Sequence, residues 1–325
     1  MKIRIGILGA AKIAPPVVIN TSRDNPDFEV VAVGARDPER AKAYAAEHKI
    51  ANVAKDYDAL VRRDDVDLVY NALPPAGHAR WTIAALEAGK HVLCEKPFAM
   101  NAAQVRRMND AAAKSGRKLV EAFHYRHHNV MKRAVEIARS DELGRFVRVD
   151  ADFSVPIPYR EGELRWTREQ GGGALMDLGC YPAHALRSVM GSEPRVLGAS
   201  SVIKHDVDVT TRAELEFAGV PSSLTCSMKT ERFGATLKLM GEKGTMEIAN
   251  YLAPQMGCRF TVTVDGMARQ EPTAGPGTYA AQLAELGDVL LRGKTQLITN
   301  ADSLGNMSLI DAIYKAAGME REFGD

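Results

Sequence analysis

Cysteine is scarce in this sequence. Its four copies, Cys94, Cys180, Cys226 and Cys258, are scattered, and no two of them have CxxC spacing. That argues against both a thiolate zinc site and a disulfide framework. An excess of one charge is missing too: 42 Lys and Arg against 41 Asp and Glu leave a formal net charge of +1. A nucleic-acid or anionic-membrane partner would call for a basic excess. Nothing approaches the roughly 20 apolar residues of a membrane span. The opening run Met1–Gly9 is short and broken by charge and glycine, unlike a secretory signal. Internal repeats and low-complexity stretches are also lacking. The expectation is a cytoplasmic protein acting on a small molecule, with neither nucleic acid nor membrane as partner.

What is there is ordinary globular material. The chain has 325 residues, 46% of them hydrophobic and 26% charged, enough for two domains. Up to residue 125, short apolar runs (Ile3–Leu8, Phe28–Val33, Asp67–Ala72, Lys90–Cys94, Lys118–Phe123) alternate with helix-like stretches such as Pro38–His48 and Ala79–Ala88. Continuous apolar runs suit parallel strands buried on both faces, and repeated β-α-β makes a doubly wound sheet. Beyond about residue 145 the pattern changes. Arg212–Phe217 alternates strictly, and Phe146–Phe153, Ser222–Met228, Thr236–Met240, Thr245–Ile248 and Arg259–Val264 read as further strands, with a hairpin turn at Gly241–Gly244. One helix follows the triple glycine Gly171–Gly173, and two more, Tyr279–Leu291 and Ser303–Arg321, close the chain. The predicted class is α/β: a Rossmann domain over 1–125, then an α+β domain over 126–325 with a large open, mostly antiparallel sheet. The last helix is a candidate to pack back on the first domain. Between strands, Val155–Gly173 is a long irregular segment, which in a compact domain points to function.

The frame Gly9-Ala10-Ala11-Lys12-Ile13-Ala14 follows the first strand and opens a helix. It is GxGxxG with alanine at the second and third glycine positions. The first glycine permits the tight turn, and small residues let the backbone approach a pyrophosphate held by free N–H groups at the helix start. Gly9, Ala11, Lys12 and Ile13 are therefore candidate cofactor contacts, against the alternative of a tight turn with no ligand. About 20 residues on, an NAD enzyme usually places a carboxylate for the ribose hydroxyls. Here Ala35 occupies the strand tip, with Arg36 next and Arg40 one turn later. Guanidinium groups suit a 2′-phosphate, which favours NADP(H), with NAD as the alternative. In the bland reading Arg36 and Arg40 are solvated and Asp37 merely caps a helix.

Gly89-Lys90-His91-Val92-Leu93-Cys94-Glu95-Lys96-Pro97 ends a strand in Glu-Lys-Pro. Together with Leu73-Pro74-Pro75 and His78, with Glu121–Arg126, and with Gly171–His184, it resembles the Gfo/Idh/MocA family of sugar and polyol oxidoreductases. The likeness runs the length of the chain. It is greatest to the branch holding glucose–fructose oxidoreductase, dimeric dihydrodiol dehydrogenase and NADP-dependent aldose dehydrogenases. The two loop alanines are its main departure.

The resemblance implies hydride transfer between nicotinamide and a sugar, polyol or trans-diol. Such chemistry needs a proton donor and a cation near the substrate oxygen. It places Lys96 as the cation and Tyr181 as general acid/base. Asp177 would bind substrate hydroxyls or orient Lys96, and His184 would be a supporting or substrate contact. Leu73, His78, Glu95 and Lys96 itself join the cofactor set, and Trp166 would wall the nicotinamide or sugar pocket, unless it only pins the loop. Asp177, Tyr181 and His184 stand at i, i+4 and i+7, one face of a regular helix; the alternative is a satisfied polar seam. His124, His127 and His128 lack a carboxylate at ligand spacing, so no metal is expected. Tyr279 is a further candidate. Two other functions fit the same fold: a non-catalytic NADP-binding sensor, and a glycoside hydrolase using tightly held nucleotide. If the second sheet has an apolar outer face, relatives pair through it, which implies a homodimer or homotetramer.

Overall fold

The computed structural model describes residues Lys2–Met319 and divides into two compact units. One comprises residues 1–124 with 279–304, the other 125–278 with 305–325. The first holds a six-stranded sheet: β1 (Ile3–Leu8), β2 (Phe28–Gly34), β3 (Asn52–Val53), β4 (Leu68–Asn71), β5 (His91–Cys94) and β6 (Leu119–Glu121). The order is β3-β2-β1-β4-β5-β6 and every pairing is parallel. Successive strands run outward from β1 on one side and from β4 on the other. The switch point therefore lies between β1 and β4, where open α/β sheets bind ligands at their carboxyl ends. Ile5, Ile7, Leu68, Tyr70 and Leu93 are buried, as a sheet covered on both faces requires. Helix Thr278–Leu291 adds Leu283 and Leu286 to that core.

Helix Pro38–His48 matches the sequence reading at both ends because both caps are chemical. Asp37 accepts from the backbone N–H groups of Glu39 and Arg40. Lys49, at φ 58°, closes the other end in the left-handed region. Helix Pro75–Glu87 starts earlier than Ala79, immediately after Pro74.

The second unit carries an eight-stranded sheet: β7 (Phe146–Ser154), β8 (Arg195–Lys204), β9 (Val207–Phe217), β10 (Val220–Ser227), β11 (Gly234–Gly241), β12 (Gly244–Ala249), β13 (Arg259–Val264) and β14 (Met267–Gln270). The order is β14-β13-β12-β11-β7-β10-β9-β8, antiparallel except where β10 pairs with β7. Along β9, Val209, Ala213, Leu215 and Phe217 are buried. One face is covered in part by helix Cys180–Met190, which contacts β7, β10 and β11. The opposite face presents Arg148, Asp150, Arg212, Glu214, Ser223, Thr225, Thr236 and Lys238. That face is mostly polar, with Val202 of β8 exposed on it as well. Helix Asn300–Ala316 ends the described fold; Arg321, the expected end of that helix, lies outside the described residues.

Candidate active site

In the first unit the candidate residues collect at the carboxyl ends of β1, β2, β4 and β5. Gly9 follows β1 with φ +96°, and its N–H donates to the Gly34 carbonyl at 2.8 Å. A Cβ there would lie 3.2 Å from Leu73 Cδ2, so glycine is needed for both conformation and space. The N–H groups of Ala11, Lys12 and Ile13 meet no backbone acceptor among the described residues. They precede the helical turns of Pro15–Ile19 and Asn20–Arg23. Open donors at a helix start suit a pyrophosphate.

Arg36 is exposed beyond the tip of β2 and has no ion pair among the described residues. Arg40 differs: its Nη2 donates to the Ala10 carbonyl at 2.9 Å. Tyr44 OH donates to the Ala11 carbonyl at 2.9 Å. Arg40 and Tyr44 therefore brace the loop from helix Pro38–His48, leaving Arg36 as the open guanidinium. Taken together, the strained Gly9 cradle, the open N–H groups and Arg36 fit a phosphate-bearing dinucleotide.

His78 is fully buried, with Nδ1 2.9 Å from the Pro97 carbonyl oxygen and Nε2 2.7 Å from that of Leu73. Burial pushes its pKa down to about 4, against the opposing pull of these carbonyls. The ring thus sits between the Leu73 turn and the Glu95-Lys96-Pro97 turn, and as a neutral imidazole donates to one of the two carbonyls. Glu95 and Lys96 follow β5 and are half-buried. Tyr70 on β4 donates from its hydroxyl to Glu95 Oε1 at 2.6 Å. Tyr279 stacks obliquely on His124 at 4.3 Å between ring centres. Its pKa rises to about 12, through burial first and then the Glu95 charge, with Lys96 opposing.

In the second unit, Gly172 allows a close chain crossing: a Cβ there would lie 2.8 Å from the carbonyl oxygens of Leu164 and Arg165. A π-helical turn, Leu175–Gly179, then leads into helix Cys180–Met190. Asp177 on that turn accepts from Arg165 Nε at 2.6 Å. The Asp177 charge in turn raises the Arg165 pKa. Tyr181 is buried, with its ring edge-on to Tyr125 at 5.8 Å and to Phe153 at 5.4 Å. His184 is fully buried and shares a 2.7 Å hydrogen bond between Nδ1 and the Tyr125 hydroxyl. Tyr181 and His184 therefore converge on Tyr125, whereas the contact observed for Asp177 is to Arg165.

Trp166 packs edge-on to Tyr159 and His205, and Tyr159 stacks on His205 at 3.8 Å. These contacts pin the long segment to the β8–β9 turn. His128 accepts from the Val130 N–H and caps helix Asn129–Arg139. Among the described residues no group of three His, Cys, Asp or Glu side chains could hold a metal ion, and no helix is long and apolar enough to cross a membrane. None of the four cysteines is in a disulfide.

Sequence reasoning missed Tyr70 and Tyr125. Tyr70 carries its hydroxyl inside an apolar strand, and that polar atom at a core position is the signal that could have found it, whereas Tyr125 stands among His124, Arg126 and His127 with no such contrast.

Comparison with known proteins follows the same division. The profile described as "Oxidoreductase family, NAD-binding Rossmann fold" matches residues 3–123, and that of the GFO/IDH/MocA C-terminal domain matches residues 131–247. A dTDP-3,4-didehydro-2,6-dideoxy-alpha-D-glucose 3-reductase from Streptomyces violaceoruber is 33% identical over 97% of this chain and 95% of its own length. D-xylose 1-dehydrogenase (NADP(+)) 2 from Haloferax volcanii is 33% identical over 96% of each chain. Among solved structures, a 3-ketoreductase from Actinomadura kijaniata in complex with NADP and TDP-benzene superposes with a TM-score of 0.89 at 29% identity, covering 97% of this chain and 98% of the other. The same ketoreductase has been solved with a tyrosine changed to phenylalanine and with a lysine changed to alanine.

Proposed function

The chain belongs to the Gfo/Idh/MocA family of oxidoreductases, and from that premise we propose that it is an NADP(H)-dependent oxidoreductase acting on a sugar, polyol or trans-diol. The observation that carries the cofactor choice is Arg36, an open guanidinium at the β2 tip where an NAD enzyme would place a carboxylate. The bound nicotinamide would accept or supply the hydride. The chain's own residues do the rest. Gly9, Ala11, Lys12 and Ile13 hold the phosphates, and Leu73 and Glu95 border the same carboxyl-end rim. Tyr181 gives or takes the proton at the substrate oxygen, and Lys96 supplies the positive charge that favours the oxyanion. Asp177, ion-paired with Arg165, accepts from substrate hydroxyls, and His184 braces the aromatic group around Tyr181. Relatives that act on nucleotide-linked sugars and on D-xylose support this substrate class.

The test is a fluorescence titration with NADPH and NADH, followed by turnover of D-xylose with NADP+. NADPH should bind at least tenfold more tightly than NADH, and Arg36→Ala should erase the preference. Tyr181→Phe should lower kcat at least a hundredfold with NADPH binding kept, and Lys96→Ala should lower kcat by as much. Equal affinity for the two nucleotides would sink the cofactor reading. Full turnover in either variant would sink the assigned roles, and NADPH binding without turnover of any sugar or diol would favour a sensor.

A further inference from the structure

Tyr70 has no role in the reading so far, yet its setting demands one. The residue is completely buried on β4, between Ile7 of β1 and Leu93 of β5 in register. It belongs to the same apolar core as Val120, Leu283 and Leu286. Phenylalanine would fill that space without the cost of burying a hydroxyl. The hydroxyl has a single task visible in the fold, donation to Glu95 Oε1 at 2.6 Å, a short charge-assisted bond. The other carboxylate oxygen, Oε2, accepts from the Lys96 backbone N–H at 3.3 Å. Both Glu95 oxygens are thereby fixed. The field of Glu95 and the opposing field of Lys96 fall on the same phenol, that of Tyr279.

We propose that Tyr70 is a positioning residue: it locks the Glu95 carboxylate beside Lys96 and so keeps Lys96 cationic. Burial, and then the Glu95 charge, hold the Tyr70 phenol protonated, so it remains a donor. In this unit the titratable groups sharing the field of Lys96 are Glu95, Tyr279 on helix Thr278–Leu291 and His78 on helix Pro75–Glu87. Of these, Tyr70→Phe acts directly on Glu95 alone, through the hydrogen bond it removes. The consequence for catalysis rests on the role given to Lys96 above, but the positioning itself does not.

The test measures the pH dependence of Lys96 acetylation by acetic anhydride with mass spectrometry, on the full-length protein. The midpoint should fall by about half a pH unit or more in Tyr70→Phe and further in Glu95→Gln. The double variant should match Glu95→Gln alone, and in Tyr70→Phe the NADPH Kd should stay within about twofold. With D-xylose as probe, kcat should fall about tenfold while KM holds, the pattern of a lost transition-state interaction. An unmoved Lys96 midpoint in Tyr70→Phe would refute the inference, as would a double variant shifted by the sum of the two.

If Tyr70→Phe does not fold, proton NMR of the wild type decides. A far-downfield phenol proton lost in Glu95→Gln supports the bond, and its absence from the wild type refutes it. The two readings fail separately. Retained turnover in Lys96→Ala removes the catalytic role and leaves the labelling result standing, whereas an unmoved midpoint removes only the positioning.

Discussion

Asp208 offers a sharp test of how the candidate catalytic helix is held. The carboxylate is fully buried on β9. Its Oδ2 accepts from the Leu175 N–H at 2.7 Å and the Thr211 hydroxyl at 2.9 Å, and its Oδ1 accepts from the Tyr314 hydroxyl at 2.9 Å. Leu175 opens the π-turn that carries Asp177 and leads to Tyr181. Asp208→Ala would strand three buried donors. The two hydroxyls can rotate toward other acceptors, at a cost of roughly 0.5–1 kcal/mol each, but the Leu175 N–H cannot, at roughly 1–2 kcal/mol. The sum is about 3 kcal/mol, a large share of a typical domain stability. Asp208→Asn keeps one acceptor oxygen for Leu175 and Thr211 and can turn its amide toward Tyr314, so it should cost only about 1 kcal/mol. Tyr314→Phe should cost a similar amount, and less than that in the Asp208→Ala background, because the two residues share a bond. Urea unfolding followed by circular dichroism measures all four variants, and hydrogen exchange at the Leu175 amide reads the local effect. If Asp208→Ala unfolds within 0.5 kcal/mol of wild type, a resolution estimate typical of such measurements, the carboxylate does not anchor the turn.

Three further outcomes follow from the same geometry. For His78, the folded pKa of about 4 lies below the ordinary value of 6.5, so its contribution is fully present above pH 6.5 and is lost as pH falls toward 4. The loss amounts to about 3 kcal/mol; thermal melts from pH 7.5 to 4 should show a destabilisation that is absent in His78→Asn, and parallel curves would refute it. Gly9→Ala should destabilise by about 1–2 kcal/mol because φ +96° is strained for an L-residue. Fluorescence titration should also show NADPH affinity falling more than about tenfold, or 1.4 kcal/mol; unchanged binding would mean the loop does not seat the pyrophosphate. Arg40→Ala should weaken NADPH and NADH alike, since its bond is to the loop carbonyl of Ala10; selective loss of NADPH in the same titration would place it on the 2′-phosphate instead.

Elements whose chemistry is local were legible in the sequence. β1, β13 and the helix Pro38–His48 were read to the residue, because continuous burial, strict alternation and an Asp cap leave few alternatives. β14 escaped notice because all four of its residues are exposed, and β8 because six of its ten residues are exposed and none is buried, which leaves no clean period. β3 has two residues, too few for any pattern. The role of Tyr279–Leu304 in completing the first unit was equally unreadable, since a helix's apolar stripe does not say which core it serves.

The candidate site divides along the same line, and the π-turns explain where. Placing Asp177, Tyr181 and His184 on one face assumed 3.6 residues per turn throughout. Leu175–Gly179 is instead a π-turn, which inserts an extra residue and breaks that phase between Asp177 and Tyr181. The spacing from Tyr181 to His184 falls wholly within regular helix, and those two do meet on one partner, Tyr125. Asp177, on the other side of the irregularity, meets Arg165 from the preceding segment. A second π-turn, Pro15–Ile19, follows the phosphate loop directly. In both places the wider turn sits where a helix begins close to the chemistry, and π-turns cost enough in regular hydrogen bonding that they persist mainly where they aim a functional group. The turn thus places Asp177 in an ion pair with Arg165. Arg165→Ala should impair the protein as much as Asp177→Ala does.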